Sequence, residues 1–314
     1  MVSAIFVSEI IQLIYKIPSV LLMILSIYVI LKEIKKKNVH FNNQFYFIIV
    51  CKLVNEINFI ITQYILFKLP IFGFLNNFLE ENDWTARLFF VLAAQQTSFM
   101  FLITLLISIN RYLAVKYPIK YKRYFSKANM IKILLFFVII STLVGLGNIF
   151  FKAAYGIKHT FDSFVPQFTT KKVVYYKIFY TIFLYGIISI ATCIFNIKAT
   201  LELKKHKQIV SYYKKELIFI IYSIFIFITL STVEFFFVIR IIDIQYGISS
   251  LYYYVFYFFN IISFDLTSFG DYYFLIFLKN EIRNTLRCCK KSTSKVSVKI
   301  VYRRQFLPNN RSMR

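Results

Sequence analysis

Seven long apolar stretches divide the chain, and shorter polar segments separate them. Each stretch has about 20 residues or more, the length that an α-helix needs to cross the hydrocarbon core of a bilayer. Backbone that is not hydrogen-bonded internally cannot face lipid, so each stretch is predicted to be a transmembrane helix. The predicted spans are 10–31, 41–67, 87–110, 130–151, 174–197, 217–239 and 251–278. The expected fold class is therefore an all-α membrane protein, a seven-transmembrane helix bundle.

Lysine and arginine are distributed unevenly between the polar segments. The first, third and fifth segments and the C-terminal tail are rich in basic residues, whereas the second is acidic and the sixth has little charge beyond Arg240 and Asp243. The fourth segment, with four lysines, weakens this contrast. Because basic residues are enriched in cytoplasmic loops, the N-terminus is predicted to lie outside and the C-terminus in the cytoplasm.

Composition narrows the function classes. Hydrophobic residues make up 59% of the 314 residues, compared with about 45–50% in soluble domains. The net charge of +24 lies between the apolar stretches rather than on one soluble face, so no nucleic-acid partner is expected. The scattered histidines and cysteines match no enzyme, metal or cofactor motif, and we expect neither an enzyme nor a cofactor.

The most specific motif ends the third predicted span. Asn110-Arg111-Tyr112 is followed by basic residues and Pro118. An arginine is costly in lipid, so Arg111 is expected at a water boundary and facing other protein. The alternative is a snorkelling arginine that only marks the membrane edge.

The order of apolar helix, Asn-Arg-Tyr, Ala114-Val115 and Pro118 resembles the end of the third span in rhodopsin-like G-protein-coupled receptors. The form of this motif, Asn-Arg-Tyr followed by Ala-Val-x-x-Pro, is similar to that in the nematode serpentine chemoreceptors of the Srg superfamily, class gamma or class v. The resemblance implies a receptor in the plasma membrane, with sensory cilia as a candidate site. It also implies a heterotrimeric G protein and a small-molecule ligand as partners.

The resemblance further implies a conformational switch at the motif. Asn110, Arg111 and Tyr112 would couple the receptor to the G protein. Glu216 opens the sixth predicted span on the cytoplasmic side and is expected to hold Arg111 in a resting state. The alternative for Glu216 is an ordinary solvated charge.

Two departures from the relatives concern the seventh span and the outer loop. Asp271 and Tyr273 stand where relatives carry an Asn/Asp-Pro-x-x-Tyr element, but the proline is absent, as it is throughout the last three spans. A proline hinge is therefore not available here. No cysteine lies near Arg87 or within 152–172, so the disulfide that pins the outer loop in many relatives cannot form.

Polar groups within the spans are rare, and each is a candidate functional group. Lys52 and Glu56 are four residues apart and can pair on one helical face, either as functional groups or as a purely structural ion pair within the bundle. In relatives such a cluster faces polar groups of the seventh span. The expected cluster comprises Lys52, Asn55, Glu56 and Asn58 on the second span, with Asn260, Asp265 and Asp271 on the seventh.

The outer half of the bundle is expected to hold the ligand, because a cavity between helices with apolar walls and a few polar groups suits a small molecule. Gln95 and Gln96 cannot both face inward, since neighbours on a helix point about 100° apart. For the tyrosines the alternative is an interfacial belt. The candidate residues are Gln95, Gln96, Phe99, Tyr176, Tyr180, Glu234, Tyr253 and Tyr257.

The segment after the seventh span, 279–287, has apolar and basic residues on different faces and predicts a short amphipathic helix in the membrane plane. Cys288 and Cys289 follow it and are candidate palmitoylation sites, with free thiols as the alternative. The expected receptor domain is 1–287, and 288–314 is a basic cytoplasmic tail that can contact membrane lipid.

These features together predict a chemosensory receptor that binds a small molecule and activates a heterotrimeric G protein. The alternatives are a transporter or channel subunit and a nonsignalling membrane scaffold. Transporters usually show an internal repeat and helices broken at paired glycines or prolines. This chain has no visible repeat and only seven glycines, which favours the receptor.

Overall fold

The computed structural model describes residues 2–36, 44–158, 163–205, 210–246, 250–278 and Arg283. Within these residues, seven helical segments are long and apolar enough to cross a membrane, which confirms the predicted architecture. In chain order, the first to seventh spans are Val7–Lys35, Gln44–Ile71, Asp83–Lys116, Lys127–Phe150, Val173–Lys205, Glu216–Ile239 and Phe258–Leu278. The predicted helix 279–287, apart from Arg283, and the residues Cys288 and Cys289 lie outside the described part of the chain.

Several spans are built from more than one helical segment, and short helices lie between them. Pro118 opens a short helix directly after the third span, where its fixed φ suits the first helical turn. The α-helices are Val2–Lys35, Gln44–Gln63, Leu69–Ile71, Asn76–Glu81, Asp83–Lys116, Pro118–Tyr124, Lys127–Leu146, Val173–Ile178, Tyr185–Lys205, Val210–Tyr246, Ser250–Asp265 and Asp271–Leu278.

Turns of π-helix interrupt the second, fifth and seventh spans at Tyr64–Lys68, Phe179–Leu184 and Leu266–Gly270. A π-turn inserts a residue into the α-helical register, which bends the helix and changes the face on which later residues lie. The fifth and seventh spans lack proline, so these turns supply the local irregularity that proline would otherwise provide. The turn in the seventh span ends immediately before Asp271.

The third span lies at the centre of the bundle. Of its most apolar window, 67% is buried inside the protein, compared with 22% for the fourth span. It packs against the second, fourth, fifth and sixth spans. Because lipid is as apolar as the helix surfaces, this packing depends on close van der Waals contact rather than on exclusion of water.

A β-hairpin connects the fourth and fifth spans and was not predicted from the sequence. Its strands, Ala153–Lys158 and Ser163–Phe168, pair antiparallel. The Tyr155 hydroxyl donates to the backbone carbonyl of Leu66 over 2.6 Å, and burial raises the pKa of this phenol. An apolar cluster including Leu79 and Ala86 packs below the hairpin. These contacts hold the loop without the disulfide that the sequence excludes.

The two ends of the bundle are named by what lies there. The end that carries the β-hairpin is called the hairpin end, and the opposite end, where Arg111 lies, is called the Arg111 end.

Gly145 provides a test of the close approach between the third and fourth spans. A β-carbon built at this position would lie 2.6 Å from the Val91 carbonyl oxygen and 2.9 Å from the Gln95 Cβ. Gly145→Ala should therefore force the helices apart at a cost of about 1–3 kcal/mol. The measurement is the thermal unfolding midpoint of the purified full-length protein. Gly186→Ala is the matched control, since its β-carbon would meet only the Glu234 carboxylate at 3.4 Å. Equal midpoints for the two variants would contradict the close approach.

Candidate functional site

Arg111 lies near the end of the third span, but its guanidinium group is inside the bundle. The residue is only 1% exposed, and its Cζ lies 4.4 Å from the ring centre of Phe45 and 4.2 Å from that of Phe219. Arg111 therefore faces other protein, as expected, and protein rather than water surrounds its side chain. Two aromatic rings replace water around the cation, which is favourable because the ring faces are electronegative.

The polar contacts of Arg111 are incomplete among the described residues. One terminal nitrogen lies 3.5 Å from a carboxylate oxygen of Glu216, and the other donates to the side-chain oxygen of Asn110. The Nε and the first terminal nitrogen have no hydrogen-bond partner within the described part of the chain. A guanidinium group has five N–H donors. This site therefore holds a buried cation whose N–H donors are not all satisfied by the described residues.

The three residues of the Asn-Arg-Tyr motif contact three different elements. The Asn110 amide donates to the Tyr121 hydroxyl, 3.0 Å away on the short helix Pro118–Tyr124, and burial raises the pKa of that phenol. Arg111 faces Glu216 at the start of the sixth span. The Tyr112 ring packs on Phe195 of the fifth span, with ring centres 5.7 Å apart. Successive helical residues point about 100° apart, so one turn joins three parts of the bundle.

A second charged cluster lies deeper in the bundle. The Lys52 ammonium pairs with Glu56 one turn away and lies 3.1 Å from Asp271 on the seventh span. The second carboxylate oxygen of Asp271 accepts a hydrogen bond of 2.9 Å from the Thr229 hydroxyl on the sixth span. All four residues are at most 2% exposed. The cluster therefore links the second, sixth and seventh spans without access to water.

The other predicted members of this cluster lie elsewhere. The Asn55 amide donates to the backbone carbonyl of Gln96 over 3.0 Å. Asn58 is exposed on the outer surface of the bundle. Asp265 does not face Lys52, because residues six positions apart on a helix point to different faces and Asp271 occupies the face toward Lys52. Its carboxylate instead pairs with Lys16 of the first span at 2.8 Å.

Two further residues of the seventh span also depart from the expectation. Asn260 is half-buried and lies about three helical turns before Asp271, too far along the span to share its position. The Tyr273 hydroxyl hydrogen-bonds the Ser19 hydroxyl over 2.7 Å. Tyr273 therefore packs against the first span rather than against the Arg111 site.

Two polar networks were not anticipated from the sequence. Near the hairpin end, Lys68 pairs with the buried Glu9, so the first and second spans are joined by an ion pair. Nearer the Arg111 end, the Ser108 hydroxyl lies 2.9 Å from that of Ser223, which donates to the Asn196 side chain over 2.7 Å. The second network joins the third, sixth and fifth spans. Single hydroxyl groups within apolar runs give no pattern from which such contacts could be predicted.

The candidate ligand residues fall into three separate sets of contacts. On the third span, the Gln96 amide donates to the Thr62 hydroxyl over 3.0 Å and Phe99 is buried, whereas Gln95 lies against Gly145 of the fourth span. As helical geometry requires, the two glutamines face different neighbours.

The other two sets involve the fifth and sixth spans. The Tyr176 hydroxyl donates to the backbone carbonyl of Val144 over 2.6 Å, and its ring contacts that of Tyr180. The Ser189 hydroxyl donates to the Glu234 carboxylate over 2.5 Å. The side chains of Tyr253 and Tyr257 lie outside the described residues, although their backbone belongs to the helix Ser250–Asp265.

Comparison with known proteins agrees with this arrangement. No curated protein matches the chain. A family model described as "Srg family chemoreceptor" matches residues 9–286, which cover six spans completely, nearly all of the first span and both charged clusters. The chain therefore belongs to the Srg family of chemoreceptors, a family of serpentine membrane receptors.

Proposed function

We propose that the protein is a chemosensory receptor that binds a small molecule in the hairpin half of the bundle and activates a heterotrimeric G protein at the Arg111 end. The N-terminus lies outside the cell, and the Arg111 end and C-terminus are cytoplasmic. The observation that carries this proposal is the buried Arg111, paired loosely with Glu216 across the third and sixth spans. Membership of the Srg family supports it.

The proposed mechanism is a shift between two populations. In the resting state, Glu216 and the rings of Phe45 and Phe219 enclose Arg111. In the active state, the third and sixth spans part at this end, and Arg111 presents its N–H donors to acceptors of the G protein. A ligand can shift this equilibrium only by its difference in affinity for the two states. A change from about 1% to 99% active requires about 5.5 kcal/mol.

The Lys52 cluster would transmit the change between spans. Thr229 of the sixth span is bonded to Asp271, and Asp271 contacts Lys52 of the second span. Movement of the sixth span must therefore either break the Thr229–Asp271 bond or carry the seventh span with it. The π-turn directly before Asp271 gives the seventh span a point at which it can bend.

The ligand site is proposed to lie near Glu234, where the fifth and sixth spans face each other at the hairpin half. The carboxylate of Glu234 is half-buried and accepts a hydrogen bond from Ser189, and it lies beside Gly186, which has no side chain. A half-buried carboxylate favours a ligand with a hydrogen-bond donor.

We also propose that residues 1–287 form the receptor domain and that residues 288–314 form a basic cytoplasmic tail. Cys288 and Cys289 are proposed to be palmitoylated.

The orientation can be tested with epitope tags. A tag placed before Met1 should be labelled by antibody on intact cells, and a tag after Arg314 should be labelled only after permeabilisation. The reason is the excess of lysine and arginine in alternate segments. Labelling of the C-terminal tag on intact cells would contradict the proposed orientation.

The switch can be tested by removing the charge of Glu216. The Arg111–Glu216 pair is largely buried but long, at 3.5 Å, so we take its contribution as roughly 1 kcal/mol. If it stabilises only the resting state, Glu216→Gln should raise basal G-protein activation about fivefold in heterologous cells. Arg111→Ala should instead abolish activation. Glu33→Gln is the matched control, because Glu33 pairs with Lys36 at 2.8 Å near the Arg111 end of the first span. Equal loss of activation in the Glu216 and Arg111 variants, at matched surface expression, would rule out the switch.

The Lys52 cluster can be separated from a purely structural ion pair. Lys52→Met leaves two buried carboxyl groups without their cation and should destabilise the protein by about 3–5 kcal/mol. The variant that also carries Glu56→Gln and Asp271→Asn removes both excess charges and should recover thermal stability. If the cluster transmits the signal, this triple variant should reach the surface but lose ligand-dependent activation. Normal activation in the triple variant would assign the cluster a structural role alone.

A further inference from the structure

A cavity of about 450 Å³ lies at the Arg111 end between the third and fifth spans, and no step of the proposed mechanism uses it. Four lysines line it: Lys116 from the third span and Lys198, Lys204 and Lys205 from the fifth. The acidic residue among the lining groups is Glu202, which pairs with Lys205 at 3.1 Å. Three positive charges therefore remain without a compensating carboxylate in the described lining.

The lysine ammonium groups are accessible from outside the bundle. Lys198, Lys204 and Lys205 are exposed. The Lys116 ammonium donates to the Tyr112 hydroxyl over 2.7 Å, which holds it beside the cavity. Clustered lysines act as point charges that bind phosphate groups, and their mutual repulsion is relieved when a polyanion occupies the space between them.

An apolar stripe runs along the fifth span into this cavity. Residues three or four positions apart lie on one face of a helix, and five such residues are between 45% and 65% exposed. The stripe consists of Ile187, Ile190, Ile194, Ile197 and Leu201. Leu201 also lines the cavity. In a membrane this face meets acyl chains, so the basic cavity stands where the headgroup of a lipid on the stripe would lie.

We propose that this cavity binds the headgroup of a polyanionic phospholipid, a phosphoinositide, whose acyl chains lie along the stripe. Three uncompensated lysines match a headgroup with several phosphate charges better than one with a single charge. The apolar stripe distinguishes a lipid from a free phosphate compound or an acidic protein segment, neither of which would use it. This inference rests on the proposed orientation, which places the Arg111 end at the cytoplasmic leaflet, and on no claim about ligand or G protein.

The test uses the purified full-length protein in phosphatidylcholine nanodiscs, with and without phosphatidylinositol bisphosphate, and measures lipid binding by native mass spectrometry. Lys198→Gln combined with Lys204→Gln should weaken binding about 25- to 30-fold, since each lysine near a charged lipid contributes roughly fivefold. Lys198→Arg combined with Lys204→Arg should retain binding, because the charges remain.

The matched control is Lys32→Gln combined with Lys35→Gln, which removes the same charge from exposed positions at the same end of the first span. It should leave binding within about twofold of the unmodified protein, because neither lysine lines the cavity and exposed charges are screened by salt. If both double glutamine variants weaken lipid binding equally, the effect is a general attraction of the basic surface to anionic lipid, and the proposal is overturned.

Two further results would also overturn it. If soluble inositol trisphosphate binds with the same affinity as the lipid, the stripe contributes nothing and the ligand is not a lipid. Alternatively, the Lys198 and Lys204 substitutions could reduce G-protein activation equally in nanodiscs without anionic lipid, which would assign the cavity to the protein partner. The phosphoinositide site is supported if lipid binding is lost only in the variant that carries Lys198→Gln and Lys204→Gln. This result does not depend on whether the protein couples to a G protein.

Discussion

The arrangement of the bundle depends on the requirement that a charge buried among membrane helices has a partner of opposite charge. Lys52 meets this requirement with Glu56 on its own helix and Asp271 on the seventh span. An unpaired ammonium group at this depth would cost several kcal/mol. Apolar side chains in lipid can exchange neighbours at little cost, whereas these charges cannot. The relative positions of the second and seventh spans are therefore set at this point, and Thr229 adds the sixth.

Arg111 is subject to the same requirement but meets it less completely. Its contact with Glu216 is 3.5 Å long, beyond the usual range of a strong hydrogen bond, and much of its stabilisation comes from two aromatic rings. Cation–π contacts are weaker and less directional than buried ion pairs. The centre of the bundle is thus held by buried ion pairs between oppositely charged groups, and the Arg111 end by longer and less directional contacts. The proposed opening at the Arg111 end, with the rest of the fold retained, requires this difference.

The sequence was sufficient for features that depend on local spacing. Length and apolarity predicted the seven spans, and a separation of four residues predicted that Lys52 and Glu56 could pair. The sequence did not decide which of Asp265 and Asp271 faces Lys52, because their spacing places them on different faces without showing which face meets the second span. The hairpin was missed because its short strands, one of them containing Pro166, depend on contacts with Leu66 and the third span. The pairing of Arg111 with Glu216 came from a family resemblance, since no spacing rule links residues on different helices.

The last turn of the third span joins the interior of the bundle to its lipid-facing surface. Arg111 points inward to the sixth span, whereas Tyr112 packs on Phe195 and borders the basic cavity. Because both residues belong to one rigid helical turn, a rotation of the third span that withdraws Arg111 from Glu216 must also displace Tyr112 and the Lys116 ammonium bonded to it. The geometry of the cavity is therefore coupled to that of the Arg111 site by the helix itself, without any intermediate contact.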